Sequence, residues 1–280
     1  MAIEITKEQL RKMQLLELTI LKEIKRICDE EGIKYFLIGG TLIGAIRHNG
    51  FIPWDDDIDI AMLRPDFDRF LQIAPQKINE KFFVQTPQSD KGCTDYGLAR
   101  VRLNGTNFIQ ESNKNVQMNH GFFVDVFPFD VLPDNKIKAF FYGSWFPLLK
   151  RIHAKRKGYT PSPKKKSLKI VLGFFNLLLK PFPTKTLNKW LEDYHKKYVT
   201  SNSKYLFLLS GSWGYKKERH LKSMLEKPVI QHKFEDDSFS IPADYDIYLR
   251  EQYGDYMKLP DDIESCYNRH KCLELDFGKY

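Results

Sequence analysis

GGTLIGAIRHNGFIPWDDDIDI, from Gly39 to Ile60, opens with two glycines and closes on three aspartates followed by Ile58, Asp59 and Ile60. A short apolar run, Tyr35 to Ile38, precedes it. The pattern predicts a strand, a glycine hinge, a short helix from Thr41 to His48, a turn, and a second strand that carries carboxylates. Successive side chains of a strand alternate between its faces. Asp57 and Asp59 therefore share a face, joined by Asp55 if the strand starts early, while Ile58 and Ile60 point into the core. Neighbouring carboxylates repel one another unless a cation lies between them. Hard divalent ions such as Mg²⁺ take oxygen ligands and share them with substrate phosphates. Gly39 and Gly40 allow a ligand close to the backbone. Thr41 suits a helix N-cap, where phosphate is attracted. The competing reading is a solvated Asp-rich turn or a structural Ca²⁺ loop. The flanking isoleucines count against it, because they require a buried strand.

The remaining composition is that of a globular chain. Of 280 residues, 42% are hydrophobic and 14% aromatic, enough for one large domain or one domain with an insertion. The first residues, Met1 to Glu8, are polar and do not resemble a signal peptide. No apolar run reaches the roughly eighteen residues of a membrane span. Cys28, Cys93, Cys266 and Cys272 lack CxxC or zinc-site spacing and read as reduced thiols of a cytosolic protein. Net charge is +8, from 44 basic and 36 acidic residues. Fourteen of the basic residues, and no acid, lie between Asp134 and Glu192; the rest of the chain is then 30 basic against 36 acidic, or −6.

Lys7 to Glu31 has helical periodicity and ends before Gly32, which suits a C-terminal cap; it reads as a packing helix. Arg47 would clamp a phosphate or pair with the aspartates. Asp66 to Ala74 is an expected helix between Pro65 and Pro75. Lys81–Gln85 and Leu98–Leu103 are expected strands. Arg100 and Arg102 share a face of the latter and either line a cleft or pair with acids. Phe122 to Phe127 reads as a buried strand interrupted by Asp125. A carboxylate there is costly without a partner. Metal binding or catalysis would explain it, as would an ion pair with Arg100 or Arg102. Asp130, after Pro128, reads as a turn residue.

Two apolar runs, Ala139–Leu149 and Ile170–Leu179, are framed by the basic residues. They are too short to span a bilayer but suit an interfacial segment drawn to anionic lipid. Core helices with a solvated basic loop are the alternative. Aliphatic and Phe-rich runs fit acyl chains better than phosphate grooves, so no nucleic-acid partner is expected. Leu187–Val199 is an expected amphipathic helix, Phe234–Ile241 a strand or hairpin, and Pro242–Pro260 holds a helix with Tyr245, Tyr248, Leu249 and Tyr253 on one stripe.

The strand, GG(S/T) turn, helix and DhDh strand (h, apolar) resemble the nucleotidyltransferase fold. The fuller stretch from Gly44 to Asp59 resembles the LicD family, bacterial proteins that decorate cell-surface glycans with phosphocholine, with fukutin-related proteins as distant relatives. His120–Pro128, Pro242–Leu249 and Tyr253–Met257 also resemble that family, so the likeness runs from about residue 30 to 262. It implies an α/β (α+β) fold: a nucleotidyltransferase-like mixed sheet with flanking helices and a helical basic, apolar insertion. The expected division is a catalytic core over 1–134, the insertion over 135–205, and a C-terminal part over 206–280 that completes the core. The implied activity moves a phosphoalcohol from a CDP-alcohol, usually CDP-choline, to a sugar hydroxyl of a glycan or teichoic-acid precursor, releasing CMP. Asp57, Asp59 and Asp125 would serve catalysis and hold Mg²⁺ or Mn²⁺. Gly39, Gly40, Thr41, Arg47, Arg100, Arg102 and Trp54 would surround the donor, with Trp54, Trp213 or Tyr215 enclosing a quaternary ammonium. The acceptor would be lipid-linked, and the enzyme peripheral on the cytoplasmic face of the membrane. A true nucleotidyltransferase and a non-catalytic glycan- or lipid-binding protein are the alternatives.

Overall fold

Residues 2–160, 166–198, 202–211, 215–267 and 271–280 are described by the computed structural model. Helix α1 (Lys7–Glu31) starts at a capping box, in which the Thr6 hydroxyl and the Gln9 side chain satisfy each other's backbone N–H groups. It stops at Gly32, whose φ of 63° is left-handed. Its inward stripe, Leu10, Met13, Leu21, Ile24 and Ile27, is buried.

A two-residue strand β1 (Phe36–Leu37) leads into α2 (Gly39–His48), β2 (Ile58–Leu63) and α3 (Arg64–Lys77). Helix α3 does not end before Pro75 as the sequence suggests. Pro75 gives up its own N–H bond in the last turn, but the helix runs only two residues further and Ile78 N–H still reaches the Ala74 carbonyl at 2.9 Å. Strands β3 (Phe82–Gln85), β4 (Ala99–Leu103), β5 (Asn107–Gln110) and β6 (Phe123–Val131) follow.

The central sheet has the order β1-β2-β6-β4-β3. Among the described residues of this order, β2 and β6 run parallel and the other pairs are antiparallel. Strand β6 continues past Phe127 through Pro128 to Val131. On one edge it borders β4 up to Val126, and from Phe129 it borders β7 (Tyr205–Leu208). Pro128 falls in the gap between those two partners, so its missing N–H breaks neither ladder.

Between β6 and β7 stand α4 (Lys136–Arg156), α5 (Lys166–Leu178) and α6 (Thr184–Tyr194). They share a second core with Leu132, Phe207 and Leu209. Within it Tyr142 stacks on Tyr194, with ring centroids 4.6 Å apart. The chain then forms β8 (Arg219–Leu221), α7 (Lys222–Leu225), the hairpin β9 (Ile230–Phe234) and β10 (Asp237–Ile241), α8 (Tyr245–Tyr253), and β11 (Cys272–Asp276), which pairs with β5. Tyr248 and Leu249 of α8 are buried, in keeping with its aromatic stripe, and Gly254 caps it. The four cysteines are free and buried.

Candidate active site

The parallel register of β2 and β6 sets Asp59 beside Asp125, and the antiparallel register of β4 and β6 sets Arg100 on the other side of Asp125. A row of Asp59, Asp125 and Arg100 therefore crosses three strands. Asp55, Asp56 and Asp57, in the turn leading into β2, each offer a carboxylate oxygen, and these lie within 4.8 Å of one another. Asp59 lies near enough for Asp57, Asp125 and Asp55 all to act on its carboxyl.

The glycine hinge closes against them. Gly39, with φ of 58°, is left-handed, and a Cβ there would stand 3.1 Å from Asp59 Oδ2. A Cβ on Gly40 would meet Asp55 Oδ2 at 2.4 Å. Thr41 is not the N-cap. The helix starts two residues earlier with Ile38 at the cap, and the Thr41 hydroxyl instead accepts from Asp59 N–H at 2.8 Å. It thereby fixes the backbone that presents the Asp59 carboxylate.

Burial pushes Asp59 well above the ordinary carboxylate range, and Asp57, Asp125 and Asp55 push it further. Arg100 Nη2 donates to Asp125 Oδ2 at 3.4 Å, and its Nε approaches Oδ1 at 2.7 Å without hydrogen-bond alignment. Arg100 also contacts Asp95, which takes a second cation, Lys150 of α4, at 3.0 Å. Asp125 and Asp95 share one arginine yet move in opposite directions. Burial raises Asp125 against the pull of Arg100. For Asp95, Arg100 and Lys150 together outweigh burial and hold it well below the usual range. The centre is left with more negative charge than Arg100 balances. Its donors are hard oxygens, so its chemistry fits a divalent cation.

Several expectations need correction. Arg102 does not line a cleft. It is buried, donates to Gln85 Oε1 and to the Gly121 carbonyl at 2.6 Å each, and lies over the Phe123 ring. Burial and neighbouring Arg100 bring its pKa down to about 10. Arg47 is near enough to Asp55 to sense it, but its Nη1 donates to the Tyr256 carbonyl at 2.7 Å and the Lys258 carbonyl at 3.3 Å. It ties the segment after α8 to α2. Asp130 is no turn residue. It lies within β6, fully buried, and takes two hydrogen bonds from Arg64 at 2.6 and 2.8 Å. Trp54 packs against the main core, edge-on to His48. Tyr215 packs on Phe140 and Phe207 in the helical layer, and Trp213 lies outside the described residues.

Asp56, Asp95, Lys150 and Glu17 escaped the sequence reading. Lys150 was hidden among the basic residues of its segment. Glu17 carried a signal: it is the acid on the inward stripe of α1, four residues from both Met13 and Leu21.

A carboxylate-bearing mixed sheet behind a glycine hinge is in keeping with the resemblance to the nucleotidyltransferase fold. Residues 32–164 match the family model LicD/FKTN/FKRP, nucleotidyltransferase domain. The lipopolysaccharide cholinephosphotransferase LicD of Haemophilus influenzae is 32% identical over 256 residues, which span 90% of this chain and 92% of that protein. The chain belongs to the LicD family. Shorter likenesses join it to an uncharacterized protein of Rickettsia typhi, 44% identical over 57 residues (20% of this chain, 18% of that protein), and to the human ribitol 5-phosphate transferase FKRP, 36% identical over 62 residues (21% and 12%).

Proposed function

We propose that this protein transfers a phosphoalcohol, phosphocholine foremost, from a CDP-alcohol to a hydroxyl of a cell-surface glycan precursor. The observation that carries this reading is the Asp59–Asp125–Arg100 row beside the Asp55–Asp57 cluster, behind a hinge with no side chain in the way. The activity of the Haemophilus relative supports the choice of phosphocholine. In the reaction the acceptor oxygen bonds to the phosphorus bearing the alcohol, the bridging P–O bond breaks, and CMP leaves with that oxygen. Asp125 receives the hydroxyl proton, its burial favouring the protonated form. Asp55, Asp56, Asp57 and Asp59 would hold Mg²⁺ or Mn²⁺, which would supply positive charge against the pyrophosphate. Gly39 and Gly40 keep the approach to these carboxylates open, and Arg100 steadies Asp125.

The same reading seats the protein on the cytoplasmic face of a membrane. Among the described residues no helix is long and apolar enough to cross one. Helix α5 nevertheless exposes Ile170, Val171, Phe174, Leu177 and Leu178, at helical spacing, and α4 exposes Ile137, Phe140 and Phe141. They belong to the stretch with fourteen basic residues and no acid. Exposed apolar side chains flanked in sequence by basic residues complement an anionic lipid surface. There the enzyme would meet both a cytosolic CDP-alcohol and a lipid-linked glycan.

The deciding experiment incubates the protein with CDP-choline, CDP-ribitol or CDP-glycerol, Mg²⁺ and a lipid-linked glycan, and weighs the products by mass spectrometry. CMP together with a glycan heavier by one phosphoalcohol is expected. A nucleotide found on the acceptor, with free phosphoalcohol released, would establish a nucleotidyltransferase instead.

A further inference from the structure

Glu17 is a fully buried acid, and neither of its carboxylate oxygens has a hydrogen-bond partner. It sits on the inward face of α1, which packs across β2, β4 and β6. One turn earlier on that helix, the Gln14 amide donates to the Asp55 carbonyl at 2.8 Å and to the Ile52 carbonyl at 3.3 Å. This stretch of α1 therefore lies directly against the turn that carries the aspartates. Burial holds the Glu17 carboxyl well above the ordinary carboxylate range, and Asp57, Asp56, Asp55 and Asp125 push it the same way. A buried carboxyl with no hydrogen-bond partner is costly to a fold. A residue retained only for packing would be apolar here, like Met13 and Leu21 on either side.

We propose that Glu17 is a member of the divalent-cation site, supplying negative charge and acceptor oxygens beneath Asp55, Asp56 and Asp57 that raise the affinity of the centre for the ion. This rests on the reading of that centre as a cation site. It assigns a functional residue to a helix that otherwise reads as packing alone.

The inference predicts a trade between stability and ion binding. In Glu17→Met an apolar side chain of similar volume replaces the orphaned carboxylate. The cation-free variant should melt at a higher temperature than the cation-free parent, while its affinity for Mn²⁺ falls at least tenfold. Mn²⁺ binding is followed by the loss of the free-ion electron paramagnetic resonance signal, with no substrate present. Glu17→Gln keeps the shape and should show the same loss of affinity, so the test stands even if Glu17→Met does not fold. Affinity within twofold of the parent in a folded Glu17 variant would overturn the inference. Asp57→Asn is run beside them to separate the two readings. If it abolishes Mn²⁺ binding while the Glu17 variants bind normally, only the role of Glu17 fails. If the parent itself binds no Mn²⁺ at millimolar concentration, the cation site fails, and Glu17 with it.

Discussion

Asp57 and Asp59 differ in what surrounds them, although both belong to the acidic centre. Asp59 has its own N–H held by Thr41 and its carboxylate beside Asp125. Asp57 joins Asp55 and Asp56 within 4.8 Å. Replacing either with asparagine keeps the shape and removes a charge. Turnover should fall by at least about a hundredfold, or roughly 2.7 kcal/mol of transition-state stabilisation, with the melting temperature held or raised because repulsion is relieved. Steady-state kinetics beside thermal melts would check this. Asp95 predicts a different pH signature. Its folded pKa is depressed by Arg100 and Lys150. Its contribution is therefore present above the ordinary value of about 3.9 and is lost as pH falls below that towards the folded value. Asp95→Asn should lower stability at neutral pH by about 3 kcal/mol, since Lys150 loses its carboxylate while Arg100 keeps Asp125. It should also flatten the acid limb of the stability curve. Denaturant titrations at pH 7 and at stepped acidic pH would reveal both effects.

The hinge helix α2 is shaped by what its glycines admit. Gly40 and Gly44 lie one turn apart, and a Cβ on either would stand 2.4 Å from an oxygen. At Gly40 that oxygen belongs to the Asp55 side chain, which can swing away; at Gly44 it is the Gly50 carbonyl, fixed in the chain. Adding the same methyl group should therefore do two different things. Gly44→Ala forces the backbone of residues 50–52 outward and should destabilise by about 1–3 kcal/mol, read as a lowered melting temperature. Gly40→Ala should leave the melting temperature nearly unchanged, since alanine favours helix. It displaces Asp55 from the cluster, so turnover should fall about tenfold, a contribution of roughly 1.4 kcal/mol.

Along the whole chain, charge is divided between the stretch from Asn135 to Leu191, with fourteen basic residues and no acid, and the remainder, of net −6. An anionic bilayer would attract the first and repel the second, so the protein would settle on a membrane with that stretch inward. Each basic residue near such a surface contributes about 1 kcal/mol, and buried apolar area adds to it. The full-length protein should co-sediment with phosphatidylserine- or phosphatidylglycerol-containing vesicles at low salt and less so at high salt. Phe174 and Leu177 are 57% and 67% exposed, so Phe174→Glu with Leu177→Glu should abolish sedimentation without lowering the melting temperature. Equal binding to neutral and anionic vesicles would rule out the electrostatic part.

The local patterns were legible in the chain. Helical spacing marked α1, and the two glycines marked the hinge before α2. Alternation put Asp57 and Asp59 on the face opposite Ile58 and Ile60. The spacing of motifs from Gly44 to Met257 carried the family. Each of these is a short-range property, set by backbone periodicity and by which residues tolerate a given φ. Tertiary structure alone decided the neighbours. Asp125 faces Asp59 because β6 lies parallel to β2 in one register, and a shift of one residue would have turned it to the other side of the sheet. Asp130 is buried because Arg64, sixty-six residues away, supplies a matching pair of donors. Arg102 and Arg47 were drawn to carbonyls that no spacing in the sequence announces. Glu17 came to lie among the aspartates because α1 packs over the sheet beside their turn. Periodicity sets which way a side chain points, but only the packing of distant segments sets what it meets, and the charges on those segments determine its chemistry.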